Sequence, residues 1–113
     1  MNFSSKKNAS HTRIKVYNEN LDAFIAPDLK SELAAIVEDG EKNIFIDLSS
    51  CISCDTSGMS ALLLGNRLCQ GVNGNFVLYG LSPRINQMKD LAGLDTILKV
   101  ADTFEAAEEL LRC

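Results

Sequence analysis

Two short apolar runs, each followed by a segment with helical spacing, constrain the fold more than any other feature of this sequence. The runs are "NIFIDL" (residues 43–48) and "FVLYG" (residues 76–80), and both contain few polar alternates. Strands that are apolar on both faces are typical of a parallel or mixed sheet covered by helices. Their alternation with helical segments predicts an α/β domain.

Helix start signals and apolar stripes extend this pattern along the chain. Leu29, Leu33, Ile36 and Val37 form one stripe, and Ile85, Met88 and Leu91 form another. The four helices are predicted to start near Pro27, Ser57, Pro83 and Thr103.

Caps and further strands complete the predicted domain. Ser82 is the expected N-cap of the third helix, and Asp102 and Glu105 have the spacing of a capping box for the last one. Residues 14–16 and "TILKV" (residues 96–100) are further strand candidates. The prediction is a single domain with a mixed sheet of four to five strands packed against about four helices.

Length and charge exclude several classes of protein. The chain of 113 residues is long enough for one domain with a sizeable core, which we place at residues 11–113 after a polar lead at residues 1–10. A net charge of −4 argues against nucleic acid as a partner, because binders of nucleic acid need clustered lysine and arginine. No cofactor is indicated.

The distribution of apolar residues argues against a membrane protein. Apolar runs such as residues 61–64 are far shorter than the roughly 18 residues that a span requires. The first ten residues carry charge without an apolar stretch behind them, so they do not form a secretory signal. We therefore expect a cytoplasmic protein with no membrane insertion, whose four cysteines are reduced thiols.

The segment "CISCDTSGMS" (residues 51–60) joins the first buried strand to a helix and concentrates reactive side chains. Functional sites of α/β sheets favour this position, after the carboxyl end of a strand. The simplest interpretation is a helix capped by Asp55, Thr56 or Ser57, with nothing else required. A cap needs only one side chain, however, and here three adjacent residues could provide it. Capping alone therefore does not account for all three side chains.

Metal and redox chemistry are weak alternatives for this segment. Cys51 and Cys54 have the C-x-x-C spacing of redox pairs and half zinc sites. A zinc site needs a second pair of ligands, whereas Cys69, Cys113 and His11 are scattered along the chain. We expect no metal, and thiols that fill space beside the strand.

Catalysis and nucleotide binding are also disfavoured. The single histidine, His11, lies next to the polar lead, so a nucleophilic serine or threonine has no evident base. No glycine-rich phosphate-binding motif occurs. The remaining hypothesis is that Thr56 or Ser57 is itself phosphorylated, because a helix start offers the phosphate free N–H groups and a favourable dipole.

Three segments of the chain together resemble a known family. They are "NLDAFIAPDLKSEL", "IFIDLSSCISCDTSGMSALL" and "FVLYGLSPRINQMKDLAGLDTILKVADTFEAAEELL". In this order they are similar to the STAS domain, specifically to the bacterial anti-sigma factor antagonists, from about His11 to Arg112. This chain has threonine at position 56, where the family usually has serine, and "VYNEN" where members commonly have glycine before Leu-Asp.

The resemblance implies a regulatory protein that is not an enzyme. Its partner would be an anti-sigma factor serine/threonine kinase. The kinase would phosphorylate the hydroxyl of the residue after Asp55 and then dissociate from the protein. A phosphatase would be a second partner. The implied phosphoacceptor is Thr56, with Ser57 as the alternative. The implied partner-binding residues are Asp22, Asp55, Thr56, Ser57, Gly58 and Met59. A different possibility within the same family is a STAS subunit of a lipid-transport ABC complex that docks on its ATPase.

Overall fold

Strands and helices alternate along residues 3–111, the part of the chain that the computed structural model describes. The strands are β1 (Phe3–Lys7), β2 (Thr12–Val16), β3 (Asn20–Leu21), β4 (Asn43–Asp47), β5 (Ser53–Cys54), β6 (Asn75–Tyr79) and β7 (Lys99–Ala101). The helices are α1 (Ala26–Glu38), α2 (Thr56–Gly71), α3 (Pro83–Leu91) and α4 (Phe104–Leu110).

The main sheet has five strands in the order β1-β2-β4-β6-β7. β1 is antiparallel to β2, and the other neighbours are parallel. A helix connects each successive pair of parallel strands, while β3 and β5 form a separate two-stranded parallel sheet. The predicted α/β class, with a mixed sheet and four helices, is confirmed.

Helices cover both faces of the main sheet. On β4, Ile44 and Ile46 belong to the larger core cluster with α1, α2 and α3, whereas Phe45 belongs to a smaller cluster with Ala107 of α4. Side chains of a strand alternate between faces, so a central strand with a core on each side is apolar almost throughout. This explains the uninterrupted run at residues 44–46.

The first ten residues, expected as a polar lead, contain the edge strand β1. Its residues are polar and mostly exposed after Phe3, which packs against the larger core cluster. Main-chain pairing with β2 holds the strand in register. An edge strand of this kind carries no apolar alternation in its sequence, so periodicity did not reveal it.

His11 is part of the domain and is buried, with 2% of its surface exposed. Its ring stacks on Phe45 with 4.1 Å between ring centroids, and its nitrogens contact Asn8 Nδ2 and Ser10 Oγ. Burial lowers the pKa of its imidazole. His11 precedes β2, so it lies at the amino end of the parallel strands, whereas residues 56 and 57 follow the carboxyl end of β4.

Two details of the predicted helices are wrong. Leu91 is 82% exposed, because it is the last residue of α3 and lies beyond the core, whereas Lys89 in the same turn is buried and pairs with Asp90 at 2.9 Å. The α4 cap is Thr103, whose hydroxyl accepts from the Ala106 N–H at 3.1 Å, so Asp102 does not form a capping box.

Candidate functional site

Three loops meet at the carboxyl edge of the parallel strands. The N–H groups of Ile52 and Ser53 donate to the Glu19 carbonyl oxygen at 2.6 and 3.1 Å. Ser82, which caps α3 as predicted by accepting from the Ile85 N–H, also donates its hydroxyl to the Ile52 carbonyl oxygen at 2.7 Å. The segment that leads into α2 is therefore fixed by the loops on both sides.

Asp55 is the cap of α2. Its backbone is extended, and its Oδ1 accepts a hydrogen bond from the Gly58 N–H at 2.9 Å. Of the three possible caps in the sequence, the structure selects the carboxylate. The hydroxyl of Thr56 is consequently not needed to cap the start of the helix. Thr56 is exposed, and Ser57 is half-buried.

Gly58 permits the close contact between α2 and β3. A Cβ at this position would lie 2.1 Å from the Leu21 carbonyl oxygen and 2.8 Å from Cys54 Sγ. Real Cβ atoms do not approach backbone this closely, so a larger residue would push the start of α2 away from β3. Asp55 and Gly58 together fix where Thr56 stands.

Asp22 lies at the same edge as Asp55. Leu21 pairs with Cys54, so each acid directly follows a paired residue of the small sheet. Asp22 Oδ1 accepts from the Phe24 N–H at 3.0 Å, and its carbonyl oxygen accepts from the Ala26 N–H at 2.9 Å. Asp22 thus shapes the turn into α1, and the β3–β5 pairing brings it to the same edge as Asp55.

Two of the expected partner-contacting residues lie below this surface. Gly58 is buried against β3, and Met59 is 5% exposed and packs in the larger core cluster. Neither is available at the surface for a partner. They hold the start of α2 in place, and the exposed members of the expected set are Asp55 and Thr56.

An open cleft of about 320 Å³ separates the starts of α1 and α2. Ala26, Pro27 and Lys30 line it from α1, and Thr56, Ser57 and Ser60 line it from α2. The sequence analysis missed Lys30 and Ser60. Ser60 lies one turn after Thr56 and so shares its helix face, a signal that was present in the sequence, whereas Lys30 comes near only through the packing of α1 on α2.

Two exposed apolar side chains lie at the carboxyl edge of the parallel strands. Phe24, in the turn that Asp22 organises, is 79% exposed. Ile52, in the fixed segment before β5, is 52% exposed. Large apolar groups held rigidly in solvent are common at surfaces that bind other proteins.

The cysteines near the site are neutral thiols at physiological pH. Burial raises the pKa of Cys51 to about 11 and that of Cys54 to about 12, and the charges of Asp47 and Asp55 respectively add to the effect. The Cys54 thiol donates to the Asp55 carbonyl oxygen at 3.4 Å. Within residues 3–111 no three His, Cys, Asp or Glu side chains are grouped as a metal site would require, and Cys113 lies outside the described residues.

None of the helices within the described part of the chain has the length and apolarity needed to cross a bilayer.

Comparison with known proteins gives a consistent set of relatives. Residues 4–100 match the profile of a family described as "Mlab, STAS domain". A Bordetella bronchiseptica protein named as the anti-sigma factor antagonist BtrV is 33% identical over 82 residues, which cover 73% of this chain and 71% of the relative.

Solved structures show the same fold. A Thermotoga maritima protein described by name as an anti-sigma factor antagonist superposes with a TM-score of 0.87 at 22% identity, covering 98% of this chain and 95% of its own. The Bacillus protein SpoIIAA is also similar, at 19% identity. Its unphosphorylated form gives a TM-score of 0.75 and covers 97% of this chain and 94% of its own, and its phosphorylated form gives 0.74 and covers 96% and 98%.

Proposed function

Because the chain belongs to the STAS domain family, we propose that it is an anti-sigma factor antagonist that works by reversible phosphorylation at Thr56. In its unphosphorylated form it binds an anti-sigma factor kinase in the cytoplasm, and a sigma factor is released. In its phosphorylated form it lets the kinase go, and a phosphatase restores it. The protein itself performs no catalysis.

The exposure of Thr56 is the observation that carries this proposal. Asp55 supplies the helix cap, so the adjacent threonine is presented at the surface with no structural duty of its own. The neighbouring Ser57 is half-buried, which favours Thr56 as the acceptor. The similarity to SpoIIAA, whose fold is known in both phosphorylated and unphosphorylated forms, supports a modification that leaves this fold intact.

Electrostatics explains how one phosphate would switch binding without unfolding the domain. The first turn of a helix has N–H groups without intrahelical acceptors and a partial positive charge, both of which tolerate an anion. A phosphate nevertheless adds about −1.5 to −2 charges to the surface. A partner that covers the site would have to desolvate this charge, at a cost that lowers its affinity.

The partner face combines acidic and apolar groups. Asp55 directly precedes Thr56, and Asp22 lies at the same edge. Phe24 and Ile52 are exposed in hydrogen-bonded segments of that edge. We expect the kinase surface to offer apolar pockets and neutral hydrogen-bond donors. A phosphate would add to a charge that is already negative, and a partner surface without spare cations could not neutralise it.

Substitutions at position 56 test the proposal. Thr56→Ala should bind the cognate kinase with unchanged affinity and should not be phosphorylated. Thr56→Glu should bind more weakly, although one carboxylate reproduces only part of the charge of a phosphate. Ser57→Ala is the matched control and should still accept phosphate at Thr56, as read by mass spectrometry after incubation with kinase and ATP.

Two results would contradict the proposal. One is phosphate on Ser57 with none on Thr56. The other is a phosphorylated protein that keeps its full affinity for the kinase. A stable complex with the ATPase of an ABC transporter, unaffected by any change at position 56, would favour the transport subunit instead.

A further inference from the structure

Lys30 faces the candidate phosphorylation site across the cleft. It stands one turn after Ala26 on α1, and its side chain shares the cleft with Thr56, Ser57 and Ser60 of α2. Among the described residues that line this cleft, Lys30 alone carries a charge. The opposite wall consists of three hydroxyl groups.

The ammonium group of Lys30 is not engaged elsewhere. Within residues 3–111 it makes no ion pair and no side-chain hydrogen bond. Glu32 and Asp28 stand two positions away on α1, and residues two apart project from different faces of a helix. A half-buried cation that faces hydroxyls and has no anion is an arrangement that an added anion would complete.

We propose that Lys30 holds the phosphoryl group of phosphorylated Thr56 inside the cleft. The inference rests on the proposed function, in that it takes Thr56 as the modified residue. A cleft of about 320 Å³ has room for a phosphoryl group, since one water molecule occupies about 30 Å³. Lysine is a common phosphate ligand, and its flexible stem lets the ammonium group follow the phosphate.

The surrounding charges make Lys30 the decisive cation. Asp55 and Asp22 lie at the same edge and both disfavour a dianion, although the Asp55 carboxylate is engaged by the Gly58 N–H and that of Asp22 by the Phe24 N–H. Opposing them are Lys30 and the N–H groups at the start of α2. Lys30 therefore acts as a positioning residue, which turns the phosphoryl group toward α1 and stabilises its dianionic form.

The ionisation of the phosphate gives a direct readout. Phosphothreonine can be incorporated at position 56 during translation, so no kinase is needed, and its second pKa can be followed by ³¹P NMR as the pH is varied. Without Lys30 the dianion loses an opposite charge, so the pKa of the phosphate in Lys30→Gln should be higher than in the wild type. A partly exposed pair of this kind corresponds to a shift of about 0.2 to 0.7 pH unit.

Two further variants make the test specific. Lys30→Arg keeps the charge and should titrate like the wild type. Lys42→Gln removes an equal charge from an exposed residue before β4, at the opposite edge of the sheet, and should not move the titration. Circular dichroism checks that all variants are folded.

The proposal is overturned if Lys30→Gln titrates like the wild type, or if Lys42→Gln shifts the pKa of the phosphate as much as Lys30→Gln does. Its failure is distinguishable from failure of the proposed function, which is read from kinase affinity. A Lys30-dependent shift in a phosphoprotein that still binds the kinase fully would support this inference and contradict the proposed function. If Lys30→Gln titrates like the wild type and the phosphoprotein no longer binds the kinase, this inference is contradicted and the proposed function is supported.

Discussion

Single residues at the start of α2 have separate structural roles in the candidate site. Asp55 caps the N-terminus of the helix, Gly58 lets it approach β3, and Thr56 is left exposed between them. The glycine is a steric requirement, because the carbonyl oxygen of Leu21 occupies the space of a side chain. The pattern D-T-S-G thus encodes a local geometry in addition to the proposed phosphoacceptor.

Gly58→Ala should destabilise the protein by about 1 to 3 kcal/mol, since an added Cβ would overlap backbone that has to move. Gly71→Ala is the matched control at the other end of α2, where nothing lies within 4 Å of the added atom. That change should be neutral or stabilising by about 0.5 to 1 kcal/mol. Urea unfolding midpoints measure both variants, and equal stability of the two would refute the steric argument.

At the scale of elements, the segment between β4 and α2 is an anchored connection. β5 pairs with β3, and hydrogen bonds to Glu19 and Ser82 fix the residues before it. Cys51 is buried within this connection and Cys54 is half-buried. Their C-x-x-C spacing is explained by packing beside the strand.

We predict that the thiols of Cys51, Cys54 and Cys69 are unreactive in the folded protein. Burial raises the pKa of each to about 11 or 12 from an ordinary value of 9.0, so the reactive thiolate becomes abundant only at far higher pH. In a Cys113→Ser background, alkylation by iodoacetamide at pH 7.5 should be at least about 100-fold slower in native than in urea-unfolded protein.

Rapid labelling of Cys54 in the native state would contradict this account of the segment. So would stoichiometric zinc in the purified protein, or kinase affinity that changes with redox state and loses that dependence in Cys54→Ser.

At the scale of the whole molecule, the fold separates two edges. Parallel strands bring the loops after β2, β4 and β6 together at their carboxyl ends, and Thr56 lies there with Phe24 and Ile52. Helix α3 runs from this edge back to the start of β7, so Leu91 at its end lies at the other edge. Exposed apolar groups therefore occur on both edges, but only one edge carries the candidate site.

Phe24→Ala should weaken kinase binding by about tenfold or more, as the loss of an aromatic anchor at the centre of an interface does. Leu91→Ala removes an equally exposed apolar group, 82% against 79%, from the opposite edge and should leave the affinity unchanged. Calorimetric titration compares the two variants. Equal effects, or an effect of Leu91→Ala alone, would place the partner face elsewhere.

Sequence patterns determined the helices and the central strands of this protein and the position of its candidate site. The apolar runs at residues 44–46 and 76–79, the stripe of α1 and the cap at Ser82 are local signals, since burial on two faces and helix capping each leave a mark on neighbouring residues. The same holds for the junction of strand and helix at Thr56. Such features depend on short-range periodicity and cap chemistry, which the order of residues expresses directly.

Tertiary structure alone decided which of these residues act together. The pairing of β1 with β2, the burial of His11 on Phe45 and the exposure of Leu91 follow from contacts between distant segments, which no local period records. The choice of Asp55 as cap follows from the backbone that the β3–β5 pairing fixes. Lys30 meets the hydroxyls of α2 only because α1 packs on α2, and no local pattern in the sequence connects these two helices.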